Sequence, residues 1–306
     1  MTRRAGRARA WAELLRVSAL PSVPGDALAG AAAAGARPGR GTLSAIGSSL
    51  CLYEAGMALN DWADRAEDAA ERPHRPLPSG RITPSAALTA SAALTAAGLA
   101  LAARAGRPAL TVATALATTV WAYDLGLKHT PAGPATMATA RALDLLLGAT
   151  ASATTPAAGA ARSGGPVRAL PSALLLGAHT YAVTAVSRHE THGGSTRTPL
   201  AALAITLAVA VAASGAAPSA SPDRRPTALL PSLLAPVYAR TPATLLLHAA
   251  LNPSAALTER AVGGGIRATI PLQAALAARA GSPGTALALL GLVPAARALA
   301  RKVSPT

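Results

Sequence analysis

The chain is 306 residues long, 51% hydrophobic and only 13% charged, with 28 lysines and arginines against 13 acids, a formal net charge of +15. Phenylalanine is absent, aromatic residues make up 2%, and alanine, leucine and valine carry the apolar content, a composition of helices rather than sheets. The lone Cys51 excludes an internal disulfide framework or a cysteine metal cluster, and the arginines lie scattered between apolar runs with no helix-turn-helix signal, which argues against nucleic acid as a partner.

In chain order, a basic tail over 1–12 carries Arg3, Arg4, Arg7 and Arg9. Nine apolar stretches follow, centred on 16–35, 42–60, 84–103, 108–124, 137–157, 169–187, 198–218, 227–250 and 268–296. Several approach the length a helix needs to cross about 30 Å of hydrocarbon. The pattern predicts an all-α, polytopic transmembrane bundle of about nine helices forming one domain over 1–306. An alanine-rich soluble bundle is the alternative, and it would show a polar stripe every third or fourth residue. The tail resembles a signal peptide's basic head, but no small-x-small site followed by a polar chain appears, so the first stretch is expected to stay as helix 1. The positive-inside rule places the tail and the 60–82 loop in the cytoplasm of a multi-pass cell-membrane protein. An odd number of crossings then puts the two ends on opposite sides, leaving Arg297, Arg301 and Lys302 outside against that rule.

The loop after the second stretch, NDWADRAEDAAERPHRPLPSGRI over 60–82, crowds acids into an acid-poor chain. In a helical extension, Asp61, Asp64 and Asp68 fall at i, i+3 and i+7 and project from one face. Such carboxylates repel near hydrocarbon unless cations join them, and magnesium, an oxygen-loving ion held by few carboxylates plus phosphates, is the natural counterion. Asn60 adds a neutral oxygen or orients a carboxylate. Arg72, Arg75 and Arg81 stand beside the acids, where guanidinium forks suit a polyanionic substrate. A solvated loop balanced by salt bridges is the plainer alternative.

The pattern N60-D61-x-x-D64-x-x-x-D68 followed by R75-P-L-P-S-G-R-I82 resembles the first aspartate-rich motif of the UbiA superfamily of intramembrane prenyltransferases, and R16-VSALPSVPGD26-ALAG30 is similar to that family's helix 1. The resemblance implies an all-helical membrane enzyme that binds an isoprenyl diphosphate through Mg2+ and passes the prenyl group to a lipophilic acceptor, often aromatic, such as a quinone precursor. No obligate protein partner is evident beyond the lipid bilayer.

After the fourth stretch, YDLGLKHTPAG offers Tyr123 to a phosphate oxygen or an allylic cation and Lys128 to a terminal phosphate, and the family has a Tyr–Lys element here. Interfacial anchoring accounts for either residue alone. In the fifth stretch Arg141 and Asp144, at i and i+3, are expected to neutralise one another, either near the cavity or as a structural ion pair. After the sixth comes S187-R-H-E-T-H-G-G194, where the family's second DxxxD motif is missing. Glu190 is read as the remaining acid for a second metal ion, so the metal set is Asp61, Asp64, Asp68 and Glu190. Arg188, His189 and His192 are read as diphosphate or acceptor contacts, and His-Glu-Thr-His is one residue short of a zinc HExxH. A transporter or flippase of an anionic lipid and a non-catalytic membrane protein remain as other function classes.

Overall fold

The computed structural model describes residues 3–153, 165–190, 193–215 and 229–303, all helical or in short connections, with no strand among them. α1 (Arg3–Leu14) is followed by a 3-10 turn, Val17–Ser22, and α2 (Pro24–Ala33); α3 (Arg40–Ala63) and the short α4 (Arg65–Glu71) carry the acidic motif. α5 (Pro84–Ala105), α6 (Arg107–Leu125), α7 (Gly133–Ala153), α8 (Leu170–Ser187), α9 (Arg197–Ser214), α10 (Leu230–Leu251) and α11 (Ala255–Arg279) complete an antiparallel bundle, closed by α12 (Pro283–Leu290) and α13 (Leu292–Val303).

Local chemistry sets many of these starts. Proline occupies the first turn of α2, α5, α6, α8, α10 and α12, where its missing N–H costs nothing. Thr83 and Ser254 cap α5 and α11 by accepting from Ala86 N and Leu257 N. Three segments, Pro84–Ala105, Gly165–Ser187 and Arg197–Ser214, are long and apolar enough to cross a membrane by length and composition alone. Large apolar side chains such as Leu174, Val211, Leu233 and Leu251 point away from the bundle, as lipid-facing residues do.

The expected first stretch is divided, a 3-10 turn preceding a ten-residue α2, because Pro21 and Pro24 interrupt the hydrogen-bond ladder. The ninth begins earlier than expected, at Ala255, and stops at Arg279. α12 and α13 then fold back, α12 against α11 and α2, α13 along Val17–Ser22, so the last helix lies beside the turn that follows the first rather than completing the stretch 268–296. The expected ends of the fifth and seventh stretches and the start of the eighth lie outside the described residues.

Alanine fills much of the core, and the helices approach closely. The tightest crossing is α2 on α7. A Cβ on Gly148 would run into the backbone of Ala27, and one on Gly30 would meet Leu145 O and stand 2.8 Å from Ala149 N. Gly148→Val should therefore force α2 and α7 apart and destabilise the protein by about 1–3 kcal/mol, read as a lower unfolding temperature in detergent. An unchanged midpoint would mean that the crossing is not tightly packed.

Candidate functional site

α3 does not stop cleanly at Ala63. Asp64 N bonds Asn60 O at 2.9 Å and Asp68 N bonds Asp64 O at 2.8 Å, so the helical path runs through a kink into α4 and keeps Asp61, Asp64 and Asp68 near one another. Each is met by one or more cations. Arg75 Nη1 lies 2.7 Å from Asp68 Oδ2 and 3.6 Å from Asp61 Oδ1, bridging two of the three acids. Arg72 reaches Asp68 at 3.3 Å. Lys128, from the turn after α6, stands 2.5 Å from Asp64 Oδ1, with His129 Nε2 at 3.7 Å from the same oxygen.

Arg16 adds a fourth cation, its Nη2 3.6 Å from Asp61 Oδ1. Among the described residues it is the non-glycine residue with positive φ, at φ 48° and ψ 47°. That left-handed backbone breaks α1 from the following turn and is costly for a side-chain-bearing residue. Asp61 Oδ1 is buried and makes no hydrogen bond.

Behind this rim lies a cavity of about 310 Å³ between α3, α6 and α7. Its mouth carries Arg16, Asn60, Tyr123 and Asp124, and Asn60 Nδ2 donates to Asp124 Oδ1 at 3.0 Å. Leu52, Gly56, Met57, Leu116 and Val120 form the walls, and Ser49, Arg141 and Asp144 form the far end. Arg141 and Asp144 do not simply neutralise one another. Arg141 Nε sits 2.9 Å from Asp26 Oδ2 on α2, and Ser49 Oγ donates to Asp144 Oδ1.

A model of the UbiA prenyltransferase family matches residues 19–251, most of the chain and all of α3, α6 and α7. The chain belongs to that family. Over 128 residues it is 32% identical to digeranylgeranylglyceryl phosphate synthase of Methanopyrus kandleri, a match covering 40% of this chain and 45% of that relative. The chain spans about half the length of the curated relatives it matches. Among solved structures, the apo UbiA homologue of Aeropyrum pernix K1 superposes with a TM-score of 0.60 at 18% identity, over 84% of this chain and 96% of that one. The UbiA homologue of Archaeoglobus fulgidus bound to GPP and Mg2+ gives 0.53 at 16% identity, over 90% and 99%. At such identities the structural likeness speaks for the fold.

Within the UbiA fold, the cluster after α8 reaches the same end of the bundle. Arg188 donates to Thr130 O in the turn carrying Lys128. Glu190 lies in the field of Arg72 and of Glu259 on α11. His189 Nε2 is 3.3 Å from Thr198 Oγ1 at the start of α9, and His192 lies outside the described residues. Arg81 stands apart from the acids: its Nη1 pairs with Glu13 Oε2 of α1 at 2.6 Å and its Nη2 donates to His74 O. Among the described residues, Asp64, Glu67 and His129 form a grouping of possible metal donors whose ligand atoms lie within 4.8 Å of one another.

Sequence spacing did not single out Arg16, Glu67, Asp124 or His129. Glu67 and His129 were visible as neighbours of motif residues, and Asp124 as the acid beside Tyr123. Arg16 opens the segment similar to the family's helix 1, but its partner Asp61 is distant in the chain and its backbone is known only once folded.

Two outcomes follow. Arg75→Met removes the cation shared by Asp61 and Asp68; with Asp68 buried, this should cost about 3 kcal/mol and speed hydrogen exchange across 65–82, whereas unchanged exchange would make the bridge superfluous. Burial raises the Glu190 carboxyl above its ordinary value of 4.5, Glu259 adds to the rise, and Arg72 opposes it. The folded chain then holds this proton more tightly than the unfolded chain, so the stability present below pH 4.5 is lost as pH climbs through the raised value. Glu190→Gln should flatten that part of a melting-temperature profile, and identical profiles for both proteins would contradict the assignment.

Proposed function

We propose that the protein is a Mg2+-dependent prenyltransferase, a single domain over 1–306, that moves a prenyl group from an allylic isoprenyl diphosphate to a lipophilic acceptor, aromatic or quinone-precursor in type, at the cytoplasmic face of the cell membrane. The observation that carries this reading is the pairing at the rim: three clustered aspartates, answered together by cations from three segments of the chain, above an apolar-walled cavity. A structural ion-pair network would have no use for that cavity, and a plain apolar cavity would have no use for the charges.

The donor set fits magnesium. Asp61, Asp64 and Asp68 offer hard carboxylate oxygens, and the buried Asp61 Oδ1, 3.6 Å from both Arg16 and Arg75, makes no hydrogen bond that a metal would have to displace. Asp61, Asp64 and Asp68 would hold the metal, with Glu190 as a further ligand, and magnesium when bound supplies Lewis-acid stabilisation of the diphosphate.

The residues themselves account for the rest. Lys128, Arg75, Arg72 and Arg16 supply positive charge where the diphosphate develops negative charge as the allylic C–O bond breaks and its electron pair leaves with oxygen. Arg188, His189 and His192 would complete the rim on the α8 side, and Asn60 orients the Asp124 carboxyl at the mouth. Arg81 serves this site by position only, by clamping the 60–82 loop to α1. The walls exclude water, and Tyr123 presents a π-face to the allylic cation until the acceptor attacks its terminal carbon and loses a proton. The anionic head stays at the rim while the isoprenyl chain remains among apolar helices or lipid.

The test is release of diphosphate from allylic donors by the purified chain, with and without Mg2+, across a panel of acceptors. Asp64→Asn and Lys128→Met should each lower kcat by about 10²–10³, with folding checked by thermal melting. Wild-type rates in both variants, or no release from folded protein across the panel, would overturn the proposal.

A further inference from the structure

The prenyl-transfer reading places the donor's diphosphate at the mouth of the cavity, and the opposite end has a chemistry of its own. Ser49 and Asp144 are almost wholly buried, yet with Arg141 they line the cavity floor. Arg141 meets Asp26 through Nε, while among the described residues its two Nη groups have no hydrogen-bond partner. The Asp26 and Asp144 carboxyls stand side by side. Asp26 is fixed from behind by Gln273 Nε2, which donates to its Oδ1 at 2.6 Å and to Ser22 O at 2.9 Å. Four helices, α2, α3, α7 and α11, thus hold one guanidinium fork beside a carboxylate that faces open space.

We propose that this floor is the acceptor subsite and that it selects a neutral, hydroxyl-bearing ring, the hydroxyl accepting from Arg141 Nη and donating to the Asp144 carboxylate. The proposal rests on the prenyl-transfer reading. An isoprenyl tail seated here would strip water from Arg141 and Asp144 and return no hydrogen bond, so the floor is not where the tail lies. A carboxylate or phosphate head would meet the Asp144 carboxylate beside a guanidinium already paired with Asp26, which selects against anions. A hydroxyl is both donor and acceptor, and matches the pair. Ser49 and Asn60 are eleven residues apart on α3, about 16 Å along a helix, which leaves room for a ring between the floor and a donor held at the mouth.

The experiment uses the full chain in lipid nanodiscs with Mg2+ and a geranyl thiolodiphosphate as an unreactive donor analogue. Hydroquinone and 4-hydroxybenzoate, which share a ring and differ by a hydroxyl against a carboxylate, are the probes, and binding is followed by calorimetry. Hydroquinone should bind at least tenfold tighter. Asp144→Asn should narrow that ratio at least fivefold while changing the Kd of the donor analogue less than twofold. Ser49→Ala, a small change, should narrow it in the same direction and serves if Asp144→Asn does not fold. Equal or tighter binding of 4-hydroxybenzoate, or a ratio unmoved in both variants, would overturn the subsite. Weakened donor binding in the floor variants would give the floor to the tail instead and overturn it too. If neither probe binds while the donor analogue does, the subsite falls and prenyl transfer stands; if the donor analogue itself does not bind, the underlying reading falls and the subsite with it.

Discussion

The arrangement depends on bringing enough positive charge to three aspartates at the edge of a low-dielectric bundle. Carboxylates spaced for one helical face repel one another, and the edge of a hydrophobic slab screens them poorly. The chain answers with arginines and a lysine from three different places: the turn after α1, the proline-rich segment after α4, and the turn after α6. Because these partners come from separate segments, their pairing also fixes how those segments meet. The same electrostatics that would receive a diphosphate therefore helps to assemble its own receptacle.

A second polar group lies deeper, and it depends on a different physical device. Asp26, Ser49, Arg141, Asp144 and Gln273 sit among alanines and leucines, where each unsatisfied bond is costly. They are held at that depth by bonds to one another across four helices, while Asp26 Oδ2 and Gln273 Oε1 stay buried without a hydrogen bond. Small residues make this possible: with glycine and alanine at the crossings, backbones come close enough for short side chains such as Ser49 and Asp26 to reach their partners. The scarcity of large side chains and the buried polar group are two results of one packing style.

Much of this was legible in the sequence because it is local. The i, i+3, i+7 aspartates, the arginines beside them and the lysine after the fourth stretch are short-range patterns, and the apolar runs announced a helical membrane bundle. Partnerships across long separations were not legible. Asp26 and Gln273 are 247 residues apart, Asn60 and Asp124 are 64 apart, and no periodicity connects them. The pairing expected between Arg141 and Asp144 looked natural from helical spacing, yet each found a partner on another helix, because neighbouring helices crowd the same face. The return of α12 and α13 was hidden for a similar reason: an apolar run interrupted near Gly281 and Gly291 reads as one stretch until its two halves are seen to turn.

The missing side chains at Gly30 and Gly148 carry one more implication. With backbone pressed against backbone, α2 and α7 form a closed seam, and neither can slide or part without losing contact along its length. A molecule arriving from the lipid phase has no doorway there. A ligand entering from the side would have to use the charged rim or a gap between other helices, because glycine holds this part of the wall shut.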